Sequence, residues 1–250
     1  MDTQLQKKYK ILLIGDDCLD IYQYGTVDRI SPEAPVPIFK SSYEEQKAGM
    51  ARNVFNNLEA LGCDTTFLCG KESIKTRLID IRSKQHIVRI DNDVASNPIV
   101  FDPSSIIGFD AIVISDYDKG TVSTALIERL RKEFTGPIFV DTKKTDLVRF
   151  EGCIIKINLK EFNKLTSRPK DTALIVTHGE NGVIFGDQIF LAQRVEVADV
   201  TGAGDTFLAA LAYQYLHTTN MKQSIEFAIK ASAVSVQRLG VYAPTLEEII

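Results

Sequence analysis

The segment from Asp199 to Phe207, DVTGAGDTF, combines the residue types that phosphate chemistry needs. Gly202 and Gly204 let backbone N–H groups converge, and the apolar stretch that follows predicts a helix beginning at the same place. The N–H groups and the dipole of a helix N-terminus attract an anion. Asp205 would lie in the first turn, where its carboxylate could accept the proton of a hydroxyl that attacks a phosphate. Taken alone, the pattern also fits a glycine turn in which Asp205 only stabilises the helix.

Other well-known phosphate and nucleophile motifs are absent from the sequence. There is no GxxxxGK[ST] loop, and GxGxxG is incomplete because Phe207 occupies the position of the third glycine. The absence of HRD and DFG excludes protein kinases, and the absence of GxSxG excludes a nucleophile-elbow hydrolase. The four cysteines form no CxxC pair and the chain has three histidines, so neither zinc nor a disulfide framework is indicated. An anion site of another type remains.

Composition limits the class of protein. The chain has 250 residues, 44% of them hydrophobic, which predicts a single domain over residues 1–250 and excludes disorder. The formal net charge is −4, so we expect neither nucleic acid nor a membrane surface as a partner. The apolar run 11–14 is too short for a signal peptide or a membrane span. We therefore expect a reduced, cytoplasmic protein.

Periodicity predicts the elements that must position these residues. Apolar runs predict strands at 10–15, 65–69, 111–115, 137–141, 153–157, 173–179 and 183–186. Helical spacing and capping residues predict helices at 49–62, 123–134, 159–165, 202–217 and 223–238. This alternation predicts an α/β fold with a doubly wound, mostly parallel sheet and helices on both faces. In such sheets ligands bind at the carboxyl ends of the strands.

Two segments do not fit this pattern of core strands and helices. Residues 26–40 contain three prolines, which withhold backbone donors and disfavour helix, so we expect an extended edge or flap. Residues 76–91 predict a hairpin, with no helix between it and the strand that ends at Cys69.

The ordered motifs resemble the ribokinase-like (PfkB) family of carbohydrate kinases, from about Ile11 to Ile249. They are GDDCLDIYQYG, RISPEAPVP, GMARNVFNNLEALG, TRLIDIRSKQHIVRID, SDYDKG, DTKKTD, NLKEF, VTHGENG and DVTGAGDTF. RISPEAPVP and SDYDKG point to the heptose 7-phosphate kinase branch. The resemblance implies a ribokinase-like fold with a small β lid, at about 21–42 and 74–93, that closes over the sugar and forms a homodimer contact.

The resemblance also implies the partners ATP, Mg²⁺ and a sugar phosphate. It makes Asp205 the catalytic base and Gly202, Ala203 and Gly204 the anion hole. The implied nucleotide contacts are Lys143, Asn158, Thr177, Gly179 and Gly182. Asn158 and Glu161 would arrange Mg²⁺ largely through water. The residues themselves also fit plainer roles, namely a helix N-cap with its capping-box partner, a glycine turn and a solvated lysine.

On the sugar side, the resemblance implies contacts from Asp20, Gly49 and Asn53. Carboxylates accept hydrogen bonds from vicinal hydroxyls, and guanidinium groups bind phosphate bidentately. The candidates for holding the phosphate already on the sugar are Arg29, Arg77, Arg89 and Lys119. Each of these cations also fits an ordinary solvated surface residue.

Three residues and two short segments depart from the family pattern. Met50 stands in place of a glycine, Ile229 in place of an asparagine and Val241 in place of a threonine. Segments are missing after Gly70 and before Ala173. We expect phosphorylation of a heptose 7-phosphate at its anomeric hydroxyl, giving the 1,7-bisphosphate. The departures leave open another sugar or nucleoside kinase, a non-catalytic protein that binds sugar phosphate or nucleotide, and a subunit that acts only through its lid.

Overall fold

A computed structural model describes residues 8–170 and 173–250. Residues 1–7 and 171–172 of the predicted domain lie outside the described residues. The strands are β1 (Lys10–Gly15), β2 (Asp17–Ile30), β3 (Pro37–Met50), β4 (Asp64–Cys69), β5 (Ser73–Asp80), β6 (His86–Asn92), β7 (Ala111–Asp116), β8 (Ile138–Thr142), β9 (Ile154–Asn158), β10 (Ala173–Thr177), β11 (Val183–Phe185) and β12 (Gln188–Phe190). The helices are α1 (Ala51–Ala60), α2 (Thr124–Glu133), α3 (Leu159–Phe162), α4 (Ala203–Thr218), α5 (Met221–Ser235) and α6 (Leu246–Ile249).

The main sheet has the strand order β12-β11-β10-β9-β8-β7-β1-β4. The six strands from β10 to β4 pair in parallel, and β11 and β12 extend one edge as antiparallel strands. Strands buried on both faces are continuously apolar, which is why the KILLIG run forms an interior strand, between β7 and β4. The predicted α/β class with a mostly parallel sheet is confirmed.

Two apolar cores lie on opposite faces of this sheet. Ile11 and Leu13 of β1 pack with the side chains of α1, α4 and α5. Leu12 and Ile14 of the same strand pack on the other face, with α2. Side chains alternate between faces along a strand, so one strand serves both cores. The prediction of helices on both faces is therefore confirmed.

A second sheet, which we call the lid, has the strand order β3-β2-β5-β6. Its strands are longer than the predicted segments 21–42 and 74–93, because β2 begins at Asp17 and β3 runs on to Met50. The predicted lid began only at about residue 21, after the acidic residues that follow β1. In the structure Arg52 pairs with Asp17 and Arg77 with Asp20, so these carboxylates lie within a regular strand.

Several element boundaries differ from the sequence prediction. Helix α1 begins at Ala51 rather than residue 49, because Gly49 and Met50 pair with Cys18 and Asp17 in the β2–β3 ladder. Helix α5 ends at Ser235, before the predicted residue 238. Strand β12 and helix α6 were not predicted, because each spans only three or four residues. Among the described helices, none is long and apolar enough to cross a membrane.

Candidate active site

The carboxylate of Asp205 is buried at the start of α4 and receives two hydrogen bonds. Asn53 Nδ2 donates to Asp205 Oδ2 at 2.9 Å, and the Tyr117 hydroxyl donates to Asp205 Oδ1 at 3.0 Å. Only 6% of Asp205 is exposed. The candidate base is therefore held in one orientation by one residue from α1 and one that follows β7.

Neighbouring groups orient both donors. Asn57 Nδ2 donates to Asn53 Oδ1 at 3.3 Å, which leaves the Asn53 amide nitrogen to face the carboxylate. The backbone N–H of Tyr117 donates to Asp16 Oδ2 at 2.7 Å. Asp16 thus anchors the turn after β7. It directly follows β1, and β1 pairs in parallel with β7, so the two strand ends lie side by side.

The electrostatic surroundings of Asp205 suit proton acceptance near neutral pH. Burial raises the pKa of Asp205 from 3.8 to about 6, and the nearby carboxylate of Asp141 adds to the effect. Hydrogen bonds from Asn53 and Tyr117 and the charge of Lys156 oppose it. A general base works best when its pKa lies near the working pH, and this carboxyl is closer to that value than an ordinary aspartate.

The glycines before Asp205 let polar side chains approach the start of α4 closely. Gly202 has the left-handed φ of 79°, and a Cβ there would lie 2.6 Å from Asn53 Nδ2. Gly204 lies in the first turn of α4, and a Cβ there would lie 2.9 Å from Lys156 Nζ. The start of α4 therefore has no Cβ at residues 202 and 204, and the Asn53 amide and the Lys156 ammonium lie against it. This geometry can accept an anion.

A buried ion pair that the sequence analysis missed borders this space. Lys156 on β9 lies opposite Asp141 on β8, and Lys156 Nζ is 2.6 Å from Asp141 Oδ2. The two residues are only 3% and 5% exposed. A signal was present in the sequence, because each is the only charged residue in its apolar run, CIIKI and PIFVD.

Tyr117 was also missed, although it lies in the SDYDKG motif that was singled out. That motif drew attention to Lys119, whose ammonium pairs with Asp93. A tyrosine directly after a strand carries no specific sequence signal. Its contact with Asp205 spans 88 positions and depends on the packing of α4 against the sheet.

Three of the residues predicted to bind nucleotide and Mg²⁺ contact one another, namely Lys143, Asn158 and Glu161, and Lys143 lies beside Tyr117. Asn158 and Glu161 form both hydrogen bonds of a capping box, at 2.8 and 2.9 Å. Glu161 also pairs with Lys143, whose Nζ lies 5.1 Å from the centre of the Tyr117 ring. Burial alone would lower the pKa of Lys143, but the carboxylates of Asp141 and Glu161 outweigh it and raise the pKa.

The described side chains around Glu161 do not form a metal-binding cluster of their own. Among the residues that the structure describes, no cluster of three or more His, Cys, Asp or Glu side chains could hold a metal ion. Both carboxylate oxygens of Glu161 already have partners, Lys143 and the Asn158 backbone. The arrangement fits Mg²⁺ that is bound mainly by phosphates and water, which is how this ion usually binds with nucleotides.

The glycine turn between β10 and β11 has one crowded and one open position. Gly182 has a φ of 92°, and a Cβ there would lie 1.9 Å from the carbonyl oxygen of Phe190. Gly179 has a φ of 54°, and no atom of the described residues lies within 4 Å of its Cβ position. Thr177 ends β10 and its hydroxyl donates to the Ile157 carbonyl at 3.4 Å. Gly182 is therefore needed for the turn, whereas Gly179 leaves backbone open.

On the lid, Asp20 and Arg77 form a half-buried pair with an Nη1–Oδ1 distance of 2.6 Å. A Cβ at Gly49 would lie 2.6 Å from Asp20 Oδ2, so this glycine makes room for the carboxylate. Arg77 lies directly opposite Arg89 in the β5–β6 ladder, which places both on one face of the lid. Arg89 also pairs with Asp91 at 2.7 Å.

The other two candidate cations lie apart from this cluster. Arg29 is exposed near the far end of β2, nine residues from Asp20, or about 30 Å along an extended strand. Lys119 donates its backbone N–H to Asp16 and its ammonium pairs with Asp93. The structure thus brings Arg77 and Arg89 to the Asp20 face of the lid, and it does not bring Arg29 or Lys119 there.

The three residues that depart from the family pattern have distinct surroundings. Met50 is buried and has a positive φ of 50° where β3 meets α1. A Val241 methyl carbon lies 3.1 Å from the Cβ position of Gly202, so it packs against the anion-hole turn. Ile229 is buried in the core beside α4.

Comparison with known proteins shows what this chain is similar to. Residues 154–248 match the model of the pfkB family carbohydrate kinases. The bifunctional protein HldE of a Nitratiruptor species is 33% identical, over 97% of this chain and 64% of that protein. HldE of Helicobacter acinonychis (strain Sheeba) is 32% identical, over 96% of this chain and 65% of that protein. The chain is thus similar to the pfkB carbohydrate kinases in residues 154–248 and to the HldE proteins over nearly its whole length.

The chain spans about 64% of the length of the HldE proteins that it matches. The alignment with the Nitratiruptor protein runs over 298 positions, more than the 250 residues of this chain. The relative therefore carries internal segments that this chain lacks. The finding agrees with the sequence prediction of a shortened family member.

Solved structures show the same fold. Arabidopsis thaliana ribokinase, complexed with ribose and ATP, superimposes with a TM-score of 0.72 at 14% identity, over 97% of this chain and 98% of that one. Phosphofructokinase-2 from Escherichia coli, in complex with substrates and products, gives a TM-score of 0.70 at 14% identity, over 96% and 97%. The ribokinase-like fold predicted from the motifs is confirmed.

Proposed function

We propose that the protein is an ATP-dependent kinase that phosphorylates the anomeric hydroxyl of a heptose 7-phosphate, giving the 1,7-bisphosphate. One observation carries the proposal. The Asp205 carboxylate, held by Asn53 and Tyr117, directly follows the glycine turn of residues 202–204 at the start of α4. A base and an anion site in contact are the two parts that transfer of a phosphoryl group to a hydroxyl requires.

In this reaction Asp205 accepts the proton of the sugar hydroxyl. The hydroxyl oxygen forms a bond to the γ-phosphorus while the bond to the bridging oxygen of ATP breaks, and ADP leaves with that electron pair. The backbone N–H groups of residues 202–204 stabilise the charge on the transferring group. Asn158 and Glu161 would hold Mg²⁺ together with the nucleotide, and the ion would supply positive charge that offsets the phosphate charge.

The nucleotide would lie along the carboxyl ends of β8, β9 and β10. Lys143 is exposed beside carboxylates that raise its pKa, so it keeps its charge and can pair with a phosphate in place of Glu161. The open backbone at Gly179 allows close approach of a ligand, while Thr177 and Gly182 set the shape of the turn. Use of ATP is consistent with a cytoplasmic protein.

The heptose 7-phosphate would lie between α1 and the lid. Asn53 and Asp20 would orient its hydroxyls, and Gly49 leaves the space in which the Asp20 carboxylate sits. Arg77 and Arg89 would bind its phosphate. Like charges directly opposite each other on a sheet are destabilising, and an anion between them would relieve that cost. We assign the phosphate to these two arginines and not to Arg29 or Lys119.

The test is a coupled assay of ADP release over a panel that includes heptose 7-phosphate, fructose 6-phosphate and ribose. We expect the highest kcat/KM with heptose 7-phosphate and, in Asp205→Asn, a loss of activity of about a hundredfold or more. Glu133→Gln, a carboxylate at the end of α2 outside the site, is the matched control. No activity with any acceptor, together with clear ATP binding, would contradict the proposal and favour a non-catalytic binding protein.

We also propose that the lid forms a homodimer contact. The lid face opposite Asp20 and Arg77 carries apolar residues, of which Val88 is 44% and Ile90 is 54% exposed. A second copy of the same face would cover them. Light scattering should give the mass of two chains for the wild type and of one chain for Ile90→Asp. A single-chain mass for the wild type at high concentration would contradict the dimer.

A further inference from the structure

Lys156 is a buried lysine in the middle of an otherwise apolar strand. Its neighbours in β9, Ile155 and Ile157, are fully buried, and Lys156 itself is 3% exposed. Lysine is almost never fully buried unless its charge is paired. The partner is Asp141 on β8, at 2.6 Å, and both side chains lie on the face of the sheet that α4 covers.

Gly204 shows where the ammonium of Lys156 points. This residue is in the first turn of α4, in a helical conformation that any residue can adopt, so its backbone does not require glycine. Outside α4 itself, the only atom of the described residues within 4 Å of its Cβ position is Lys156 Nζ, at 2.9 Å. The missing side chain therefore lets the ammonium approach the N-terminus of α4 closely, next to Asp205.

Within the described part of the chain, one carboxylate oxygen of the Lys156–Asp141 ion pair lacks a hydrogen-bond partner. Asp141 Oδ1 is buried and has no hydrogen-bond partner among the residues that the structure describes. A buried ion pair with an unsatisfied oxygen is on average no more stable than a well-packed apolar pair. Stability alone therefore gives no reason for two charges at these positions. Their place beside the anion hole gives one.

We propose that Lys156 is a catalytic residue that contacts the phosphoryl group being transferred, an inference that rests on the proposed kinase function. Its N–H groups donate to non-bridging oxygens of the group as it passes from ATP to the acceptor. Lys156 keeps its proton throughout, since the hydroxyl proton goes to Asp205 and the electron pair of the broken bond goes to ADP. Asp141 is a positioning residue that holds the ammonium of Lys156 beside Gly204.

The deciding experiment compares Asp141→Asn with the double variant Asp141→Asn/Lys156→Met. Both lack the Asp141 charge, so they differ only in the ammonium. We expect kcat for ADP release to be about 100- to 1000-fold lower in the double variant, the usual effect of removing one group that stabilises transferring charge. KM for the sugar should stay within about threefold, because the acceptor does not contact Lys156.

Thermal unfolding of the same two proteins excludes a merely structural role. The double variant has no unpaired buried charge, so it should unfold at the same or a higher temperature than Asp141→Asn while being less active. Values of kcat within about threefold of each other would overturn the proposal. Lys156→Arg, which keeps the charge, should recover part of the activity lost in Lys156→Met.

Calorimetric binding separates failure of this inference from failure of the proposed function. If the wild type phosphorylates no acceptor, the kinase assignment fails, and ATP and ADP binding then test Lys156 alone. Tighter binding of ATP than of ADP by Asp141→Asn, lost in the double variant, would support contact between Lys156 and the terminal phosphoryl group. The same preference in both variants, or no binding of ATP to either, would overturn it.

Discussion

Asn53 Nδ2 lies 2.9 Å from Asp205 Oδ2, although 152 positions separate the two residues in the chain. The contact joins the first turn of α1, which follows the lid strand β3, to the first turn of α4, where we propose the anion hole. A sugar held against α1 would therefore meet the base and the phosphoryl site together. This contact couples the lid side of the molecule to the nucleotide side.

The raised pKa of Asp205 predicts an acid limb in the pH dependence of activity. Burial raises this pKa to about 6, and only the deprotonated carboxylate accepts a proton. We expect kcat/KM to be constant above about pH 7 and to fall about tenfold per pH unit well below the pKa. Initial rates of ADP release between about pH 5 and 8 measure this limb.

Tyr117→Phe provides the check on that assignment. The tyrosine hydroxyl donates to Asp205 and lowers its pKa, so its removal should move the acid limb to higher pH. A limb at the same pH in Tyr117→Phe and wild type would show that another group controls it.

Asp205 also predicts a cost in stability that depends on pH. Its pKa rises from 3.8 to about 6 on folding, so the folded state binds more protons between these values and stability falls as the pH rises. The full cost, present above the folded-state pKa, is about 3 kcal/mol. Asp205→Asn should therefore be up to about 3 kcal/mol more stable than wild type at about pH 8, and about half of that at about pH 5. Urea unfolding at the two values measures the difference; a wild type more stable than the variant at the higher pH would contradict it.

Gly204→Ala separates a role in binding from a role in folding. Alanine suits a helical position, so the free energy of unfolding should be unchanged or slightly higher. Its Cβ would lie only 2.9 Å from Lys156 Nζ and would displace the ammonium from the start of α4. We therefore expect activity to fall about a hundredfold. Gly182→Ala is the contrast, because its Cβ would meet the Phe190 carbonyl at 1.9 Å and should destabilise the fold. Full activity in a stable Gly204→Ala would contradict the anion hole.

Arg89 should contribute to affinity for the phosphate on the sugar. We expect Arg89→Gln to raise KM for heptose 7-phosphate about tenfold, the effect of one charge-assisted hydrogen bond, with little change in kcat. Arg82→Gln is the matched control, since Arg82 is an exposed lid arginine that pairs with Asp28. If both variants bind heptose 7-phosphate like wild type, the phosphate lies elsewhere.

The sequence predicted the core of the fold well, because its signals there are local. Apolar runs such as KILLIG and the spacing of α1, α2 and α4 match the observed elements. The start of β2 was not predicted, because the local pattern does not show that Asp17 and Asp20 pair with Arg52 and Arg77. Those partners come from other elements, and local patterns do not contain them.

Only part of the candidate site could be predicted, because only part of it is a local sequence pattern. The glycines and Asp205 are adjacent in sequence, so their pattern is visible. The contributions of Tyr117 and Lys156 depend on which strand ends lie beneath the start of α4. Cross-strand register places Lys156 opposite Asp141, and no spacing within either strand indicates that pairing.

Phosphorus NMR of the reaction products tests the central claim most directly. ATP and heptose 7-phosphate would be incubated with the wild type and with Asp205→Asn at equal concentration. The proposed function predicts a new resonance of a phosphate on the anomeric carbon, growing with the ADP signals in the wild type and about a hundredfold or more slower in the variant. Formation of the bisphosphate at equal rates by both proteins, or release of inorganic phosphate alone, would contradict the assignment of Asp205 as the base of a sugar-phosphate kinase.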